Sequence, residues 1–201
     1  MRKAVIFDIG GVLLDWNPRH LYRKMLPDEK SIDAFFDEVG FSAWNIQQDA
    51  GRSWGDGVAE LIEEFPHHNS LIKAAHLRWH EMIESPIHDT VVILELLAAR
   101  QTALFAISNI SSEKCAELQE RFKFFSLFRD IVVSGDEKVL KPEATIYQRF
   151  LTRNDLQAED CIFIDDSPVN TKGAEALGMK AVRFETPAQL LNELEEYGLI
   201  I

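Results

Sequence analysis

Cysteine is scarce in this chain. Only Cys115 and Cys161 occur in 201 residues, too few for a disulfide framework. Neither belongs to a Cys-x-x-Cys pair or stands beside an obvious basic partner, so both read as small hydrophobes rather than reactive thiols. Long apolar runs are lacking too. No stretch approaches the roughly 18 residues that a membrane helix requires. The apolar start is cut at Asp8 before a signal-peptide core with a small-residue cleavage site can form. The expectation is a soluble, cytoplasmic protein with no membrane partner. Positive charge is in deficit: 21 Lys and Arg face 33 Asp and Glu, a net charge of −12 with His neutral. Such a field repels phosphate backbones and acidic lipids, which excludes nucleic acid as an expected partner. A small anionic substrate survives this argument if a Lys or a metal ion reverses the field inside a pocket. Repeats and low-complexity tracts are also missing.

What is present is a globular balance, 46% hydrophobic and 27% charged, in a length that suits one domain or one domain with a modest insert. Five short apolar runs lack polar alternation: Lys3 to Phe7, Ala103 to Ile107, Ile131 to Val133, Ile162 to Ile164 and Ala181 to Phe184. That pattern suits parallel strands buried on both faces. Helices separate the later runs. Ser111, Ser167 before Pro168 and Thr186 before Pro187 are placed to cap helix starts, and Gly178 suits a left-handed helix stop. The rhythm predicts an α/β fold, a Rossmann-like doubly wound parallel sheet with its site at the strands' C-terminal ends.

Residues 16–85 break the rhythm. They read as helices, among them Ser31 to Val39, Gly57 to Glu64 and Ser70 to Ile83, with no convincing strand. All four tryptophans (Trp16, Trp44, Trp54, Trp79) fall here. The expected organisation is a catalytic core of 1–15 and 86–201 with a helical cap of 16–85. Its aromatics form mostly the cap's own core, with one or two facing a cleft.

Each expected strand end carries polar residues to one sheet edge: Asp8-Ile9-Gly10-Gly11, Ser108-Asn109, Lys141-Pro142 and Asp165-Asp166. Converging carboxylates repel one another unless a hard cation sits among them, and Mg²⁺ takes oxygen ligands. So neutralised, Asp8 can meet a phosphoryl group as a nucleophile and form an aspartyl-phosphate. Lys141 and the Ser108 hydroxyl would steady the transferred group. The Ile9-Gly10-Gly11 turn would let backbone N–H groups face its oxygens.

These four ordered motifs, with a helical insert after the first, resemble the haloacid dehalogenase-like hydrolase superfamily along essentially the whole chain. The resemblance implies a Rossmann-like core and, in most members, a Mg²⁺-dependent phosphatase with a covalent aspartyl intermediate. By position, Asp8 matches the nucleophile and a metal ligand, and Gly10 the backbone carbonyl that binds metal. Ser108 matches the phosphate-binding hydroxyl, with Asn109 beside it, and Lys141 the third-motif lysine. Asp166 matches the main acidic metal ligand, with Asp165 a direct or water-mediated one. Asn170 looks like a group orienting Lys141 or a metal-bound water. One departure stands out: where most phosphatases of this family carry a second Asp as general acid/base, this chain has Gly10. Asp15 is a substitute to test, against the duller reading that it caps or pairs with Arg19.

The expected activity is therefore hydrolysis of a small phosphorylated metabolite, such as a sugar phosphate. A 2-haloacid dehalogenase, needing no metal, would leave Asp165 and Asp166 unexplained. A mutase would need an acid/base group at position 10. A silent binding protein would have no use for Asp8, Ser108, Lys141 and Asp166 together. His76 and His80, four apart, read as a solvated helix face rather than a zinc site. His20, His67, His68 and His88 have no supporting pattern. Lys138 competes with Lys141 for the phosphate, and Pro142 favours Lys141. The acidic stretch Glu193 to Glu196 reads as a solvent face.

Overall fold

The computed structural model of the protein describes residues 4–200. In chain order the strands are β1 (Ala4–Phe7), β2 (Leu14–Trp16), β3 (Ile83–Pro86), β4 (Ala103–Ser108), β5 (Asp130–Val133), β6 (Cys161–Asp165) and β7 (Lys180–Arg183). The helices between β2 and β3 are α1 (Pro18–Tyr22), α2 (Glu29–Val39), α3 (Phe41–Asp49), α4 (Trp54–Glu64) and α5 (Asn69–Leu77). After β3 come α6 (His88–Ala99), α7 (Ser112–Arg121), α8 (Ser134–Glu137), α9 (Ala144–Asn154), α10 (Pro168–Glu175) and α11 (Pro187–Glu196).

Five strands form one parallel sheet in the order β5-β4-β1-β6-β7. The chain leaves β1 for β4 and β5 on one side, then returns to β6 and β7 on the other. That reversal opens a crevice at the C-terminal ends of β1, β4 and β6. Every residue of these three strands is buried, which explains their unbroken apolar character. Alternate residues enter opposite layers. Val5, Phe7, Leu104, Ala106, Ile162 and Ile164 share one core with the helical insert and α6. Ala4, Ile6, Phe105, Ile107, Cys161 and Phe163 share another with α9. Burying each large side chain contributes about 1.5–3 kcal/mol, so both sheet faces are covered.

The strands fall where expected within a residue or two, except that Lys3 lies outside the described residues. Ser111 and Thr186 cap α7 and α11, accepting from Lys114 N and Gln189 N. Gly178 has φ +93°. Ser167 does not cap α10 through its side chain; its own N–H donates to Asp165 Oδ1 at 2.9 Å.

The expectation of no strand in the insert needs correction at its two ends. β2 and β3 pair antiparallel, Trp16 opposite Ile83, as a ribbon joining insert to sheet. This pairing also ends the helix expected over Ser70 to Ile83. α5 stops at Leu77, Arg78 leaves helical geometry at φ −120°, and a 3₁₀ turn over Trp79–Met82 leads into β3. His76 and His80 therefore never share one helix face. Helices α1 and α3 were not read from the sequence. The insert's rings run in contact from Tyr22 through Phe35, Phe36, Phe41 and Trp44 to Trp54. No described helix is long and apolar enough to cross a membrane.

Candidate active site

Strand β1 ends at Phe7, and the Asp8 N–H donates to Ile164 O at 2.8 Å, so the first acidic residue is held against β6. The Lys141 ammonium lies among three acceptors: Asp8 Oδ1 at 2.9 Å, Asp165 Oδ2 at 2.7 Å and Ile107 O at 2.9 Å. An ammonium has three donors, and here each has a partner. Its side chain is only 1% exposed. The neighbouring Asn109 fixes this lysine's backbone from both directions, its Nδ2 donating to Lys141 O at 3.0 Å and its Oδ1 accepting from Lys141 N at 2.8 Å. The Lys141–Pro142 peptide is cis.

Asp165 is fully buried. Its Oδ1 accepts from Ser167 N at 2.9 Å, and Asn170 Nδ2 reaches both its oxygens at 3.0 and 3.1 Å. Asn170 is in turn fixed by Tyr147, whose hydroxyl donates to Asn170 O. Asn170 thus orients Asp165, and through it Lys141. Asp166 turns to the crevice. A Cβ placed on Gly11 would lie 2.5 Å from Asp166 Oδ2, and Gly11 has φ +74°, so only glycine passes beneath that carboxylate. The turn differs from expectation in its donors. Gly11 N–H donates to Leu14 O at 2.9 Å and Ile9 N–H to Asp8 Oδ1 at 2.6 Å. Gly11 therefore supplies conformation and clearance, while its N–H is engaged within the turn.

Asp8, Asp165 and Asp166 bring carboxylate oxygens within 4.8 Å of one another. Two carboxylates contact the one ammonium, and Asp166 lies beside them. Burial pushes Asp8 up to about 7, opposed by Lys141 and reinforced by Asp165. Burial and then Asp165 also raise Asp166. Burial works against the Lys141 charge, yet Asp8 and Asp165 outweigh it and raise this lysine. An all-oxygen donor set with surplus negative charge fits a hard divalent cation. Asp165's oxygens already serve Lys141, Asn170 and Ser167, so Asp8 and Asp166, with the adjoining Gly10, could hold one.

Ser108, buried at the end of β4, and Asn109, Gly10, Gly11 and Asn170 line the same cavity, of about 350 Å³. Its other walls are Leu14, Trp16, Ile83 and Trp79 from the ribbon and insert, Ile110 and Leu118 from the sheet side, and Asn45 and Asp49 from α3. Trp16 and Trp79 are thus the tryptophans that face the crevice. Asn45 and Asp49 escaped the sequence reading. They sit four apart on an unrecognised helix, in no motif, and polar pairs at that spacing are ordinary on helix surfaces.

The other candidates separate cleanly. Lys138 is directed to Gly51 O at 2.9 Å. Asp15 is not among the residues lining the cavity. It lies 3.3 Å from His20, while Arg19 pairs with Glu29 and Asp33, so the expected pairing of Asp15 with Arg19 does not form. His76 stacks on Trp54. His67 and His68 bond Glu38 on the insert surface. Both cysteines are buried, with burial pushing Cys161 up to about 12 and raising Cys115.

Comparison with known proteins bears on the family and the fold. The family model described as haloacid dehalogenase-like hydrolase matches residues 2–178. A sesquiterpene phosphatase of Aspergillus oryzae is 26% identical over 194 residues, 96% of this chain and 95% of that protein. Among solved structures, a HAD family enzyme of Bacteroides thetaiotaomicron superposes with TM-score 0.73 at 21% identity, covering 92% of this chain and 94% of its own. The L-2-haloacid dehalogenase of Xanthobacter autotrophicus gives TM-score 0.66 at 18% identity, covering 98% and 83%. At such identities the two structures speak for the fold.

Proposed function

This chain belongs to the haloacid dehalogenase-like hydrolases, and from that membership we propose that it is a Mg²⁺-dependent phosphohydrolase acting on a small phosphomonoester. The observation that carries the reading is Lys141 Nζ lying between Asp8 and Asp165, with Asp166 in the same cluster at the cavity floor. Asp8, Asp166 and the Gly10 carbonyl would hold the metal, with Asp165 placed behind them. When bound, Mg²⁺ supplies positive charge that lets an anionic ester approach and that balances charge gathering on the transferred oxygens.

An Asp8 carboxylate oxygen attacks phosphorus, and the ester P–O bond breaks with its electron pair remaining on the alcohol oxygen, which takes up a proton. Water then attacks the aspartyl-phosphate. The Asp8–phosphorus bond breaks, releasing orthophosphate and restoring the carboxylate. Lys141 and Ser108 hold the transferred group, and Asn109 and Asn170 keep Lys141 and Asp165 in place. The insert, acting as a cap, would keep bulk water from the reacting centre.

A sugar would need many polar partners, and the insert side of the cavity offers Asn45 and Asp49 among Leu14, Trp16, Trp79 and Ile83. The apolar wall favours an ester whose alcohol is largely hydrocarbon, in keeping with the phosphatase relative. The test is Mg²⁺-dependent hydrolysis of p-nitrophenyl phosphate, abolished by EDTA and by Asp8→Asn. Halide release from chloroacetate in EDTA would instead identify a dehalogenase.

A further inference from the structure

Cleavage of an alkyl phosphate leaves a strongly basic oxygen that needs a proton, and the incoming water must later lose one. Among the described residues of the cavity floor, the Ser108 hydroxyl is committed to the transferred group and the other candidates are taken up as well. Asp8 is the attacking group, Lys141 gives its protons to Asp8, Asp165 and Ile107 O, and position 10 is glycine. In-line displacement sends the leaving oxygen away from Asp8, and the cavity that holds Asp8 is also lined by Asn45 and Asp49 of the insert. We infer that Asp49, carried by α3 on that wall, is the acid and base of the reaction, protonating the alcohol and then deprotonating the water. This rests on the phosphohydrolase reading.

Asp49 is built into place. Asn45 Nδ2, one turn earlier, donates to Asp49 Oδ2 at 2.9 Å. The backbone N–H of Ser111, just before α7, lies near enough to its carboxylate to favour the charged form, and the Ser134 hydroxyl donates to its backbone carbonyl at 2.6 Å. A second observation points to a ligand. Asn45 Oδ1 is buried, with no hydrogen-bond partner among the described residues, and Asn45 lines the cavity. An orphaned acceptor costs about 1–3 kcal/mol, and a hydroxyl would satisfy it. The alcohol product and the hydrolytic water each bring one.

The surroundings keep this carboxyl near neutrality. Loss of hydration pushes Asp49 up to about 7, opposed by the Ser111 N–H. Charges on adjoining elements are engaged elsewhere. Arg52 binds Glu60 and Gln48, Lys138 binds Gly51 O, Glu113 accepts from Trp54 N, and Lys114 binds Glu117 and His76 O. Asp136 accepts from Ser112 Oγ. The floor charges Asp8, Lys141 and Asp166 face the same cavity. Asp49 can thus supply a proton in one half-reaction and accept one in the other near neutral pH.

The experiment compares two esters on the Mg²⁺-loaded enzyme and on Asp49→Asn, which keeps an acceptor for Ser111. One ester is p-nitrophenyl phosphate, whose leaving group needs no acid. The other is a simple alkyl phosphate such as octyl phosphate. For Asp49→Asn, kcat/KM on the alkyl ester should fall about 10²–10⁴-fold, while on the aryl ester it falls less than about tenfold, because kcat/KM there ends with release of p-nitrophenol. The p-nitrophenol burst counts folded sites, and steady-state turnover slows on both esters with loss of the base. The variant's alkyl ester profile should also lose the wild-type decline above about pH 7. An equal loss of kcat/KM on both esters would make Asp49 a latch between insert and sheet and overturn the assignment. A wild-type enzyme that hydrolyses neither ester would overturn the phosphohydrolase reading and this inference with it.

Discussion

Lys141 has its three donors directed at Asp8, Asp165 and the Ile107 carbonyl, which makes it both a charge carrier and a structural pin. Replacing it by Met leaves two buried carboxylates facing each other. Breaking a buried pair by removing one partner costs about 3–5 kcal/mol, so urea denaturation without metal should show a loss of that order at pH 8. The loss should shrink at pH 5, where Asp8 takes up a proton because its pKa already stands at about 7. Asp49 allows a separate pH test. Its carboxyl, ordinarily near 3.8, is raised to about 7 on folding. The folded chain then holds a proton that the unfolded chain has released, so stability falls as pH rises through that interval and levels above it. Asp49→Asn should decline less between pH 4 and 7 in thermal melts, since the other buried acids titrate alike in both proteins.

At the scale of elements, the β1 turn and the docking of the insert each hinge on one side chain's clearance. Gly11→Ala places a Cβ 2.5 Å from Asp166 Oδ2 at a φ of +74°. Asp166 must move, and Mg²⁺ activation should require about 10–100-fold more metal, measured by metal titration of activity. Trp54 begins α4 and reaches the sheet side, its Nε1 donating to Ser111 Oγ at 2.8 Å and its ring lying 5.5 Å from Lys114 Nζ. Trp54→Ala opens a cavity against Trp44 and His76. It should cost about 3–5 kcal/mol, read from chemical denaturation, and should lower activity on every substrate alike.

Across the whole molecule the net charge of −12 opposes the approach of a dianionic ester, even though the floor of the cavity is locally compensated. Screening shortens that repulsion to about 8 Å near 0.15 M salt. At saturating Mg²⁺, kcat/KM for a phosphomonoester should therefore rise, about twofold, as NaCl increases from about 10 to about 150 mM. A fall with salt would mean that a local positive field governs encounter.

The core strands, their parallel character and the polar residues that follow β1, β4 and β6 were legible in the sequence because a strand buried on both faces has to be apolar along its length, and its end is where polar residues resume. The strand order β5-β4-β1-β6-β7 was not, and Lys141 follows β5 only after α8. The local pattern thus determined the sheet, Asp8, Ser108, Lys141 and the Asp165-Asp166 pair. It could not show that Asp165 is occupied by Lys141, Asn170 and Ser167 while Asp166 faces the crevice, since adjacent residues in one motif differ only by which way the backbone turns. Nor could it show the β2–β3 ribbon, whose three- and four-residue strands carry too short a period to stand out. Asp49 and Asn45 belong to the tertiary structure altogether. Their helix lies some forty positions from the first motif, and only packing of the insert against the start of α7 removes water from them and turns an ordinary polar pair into the far wall of the site.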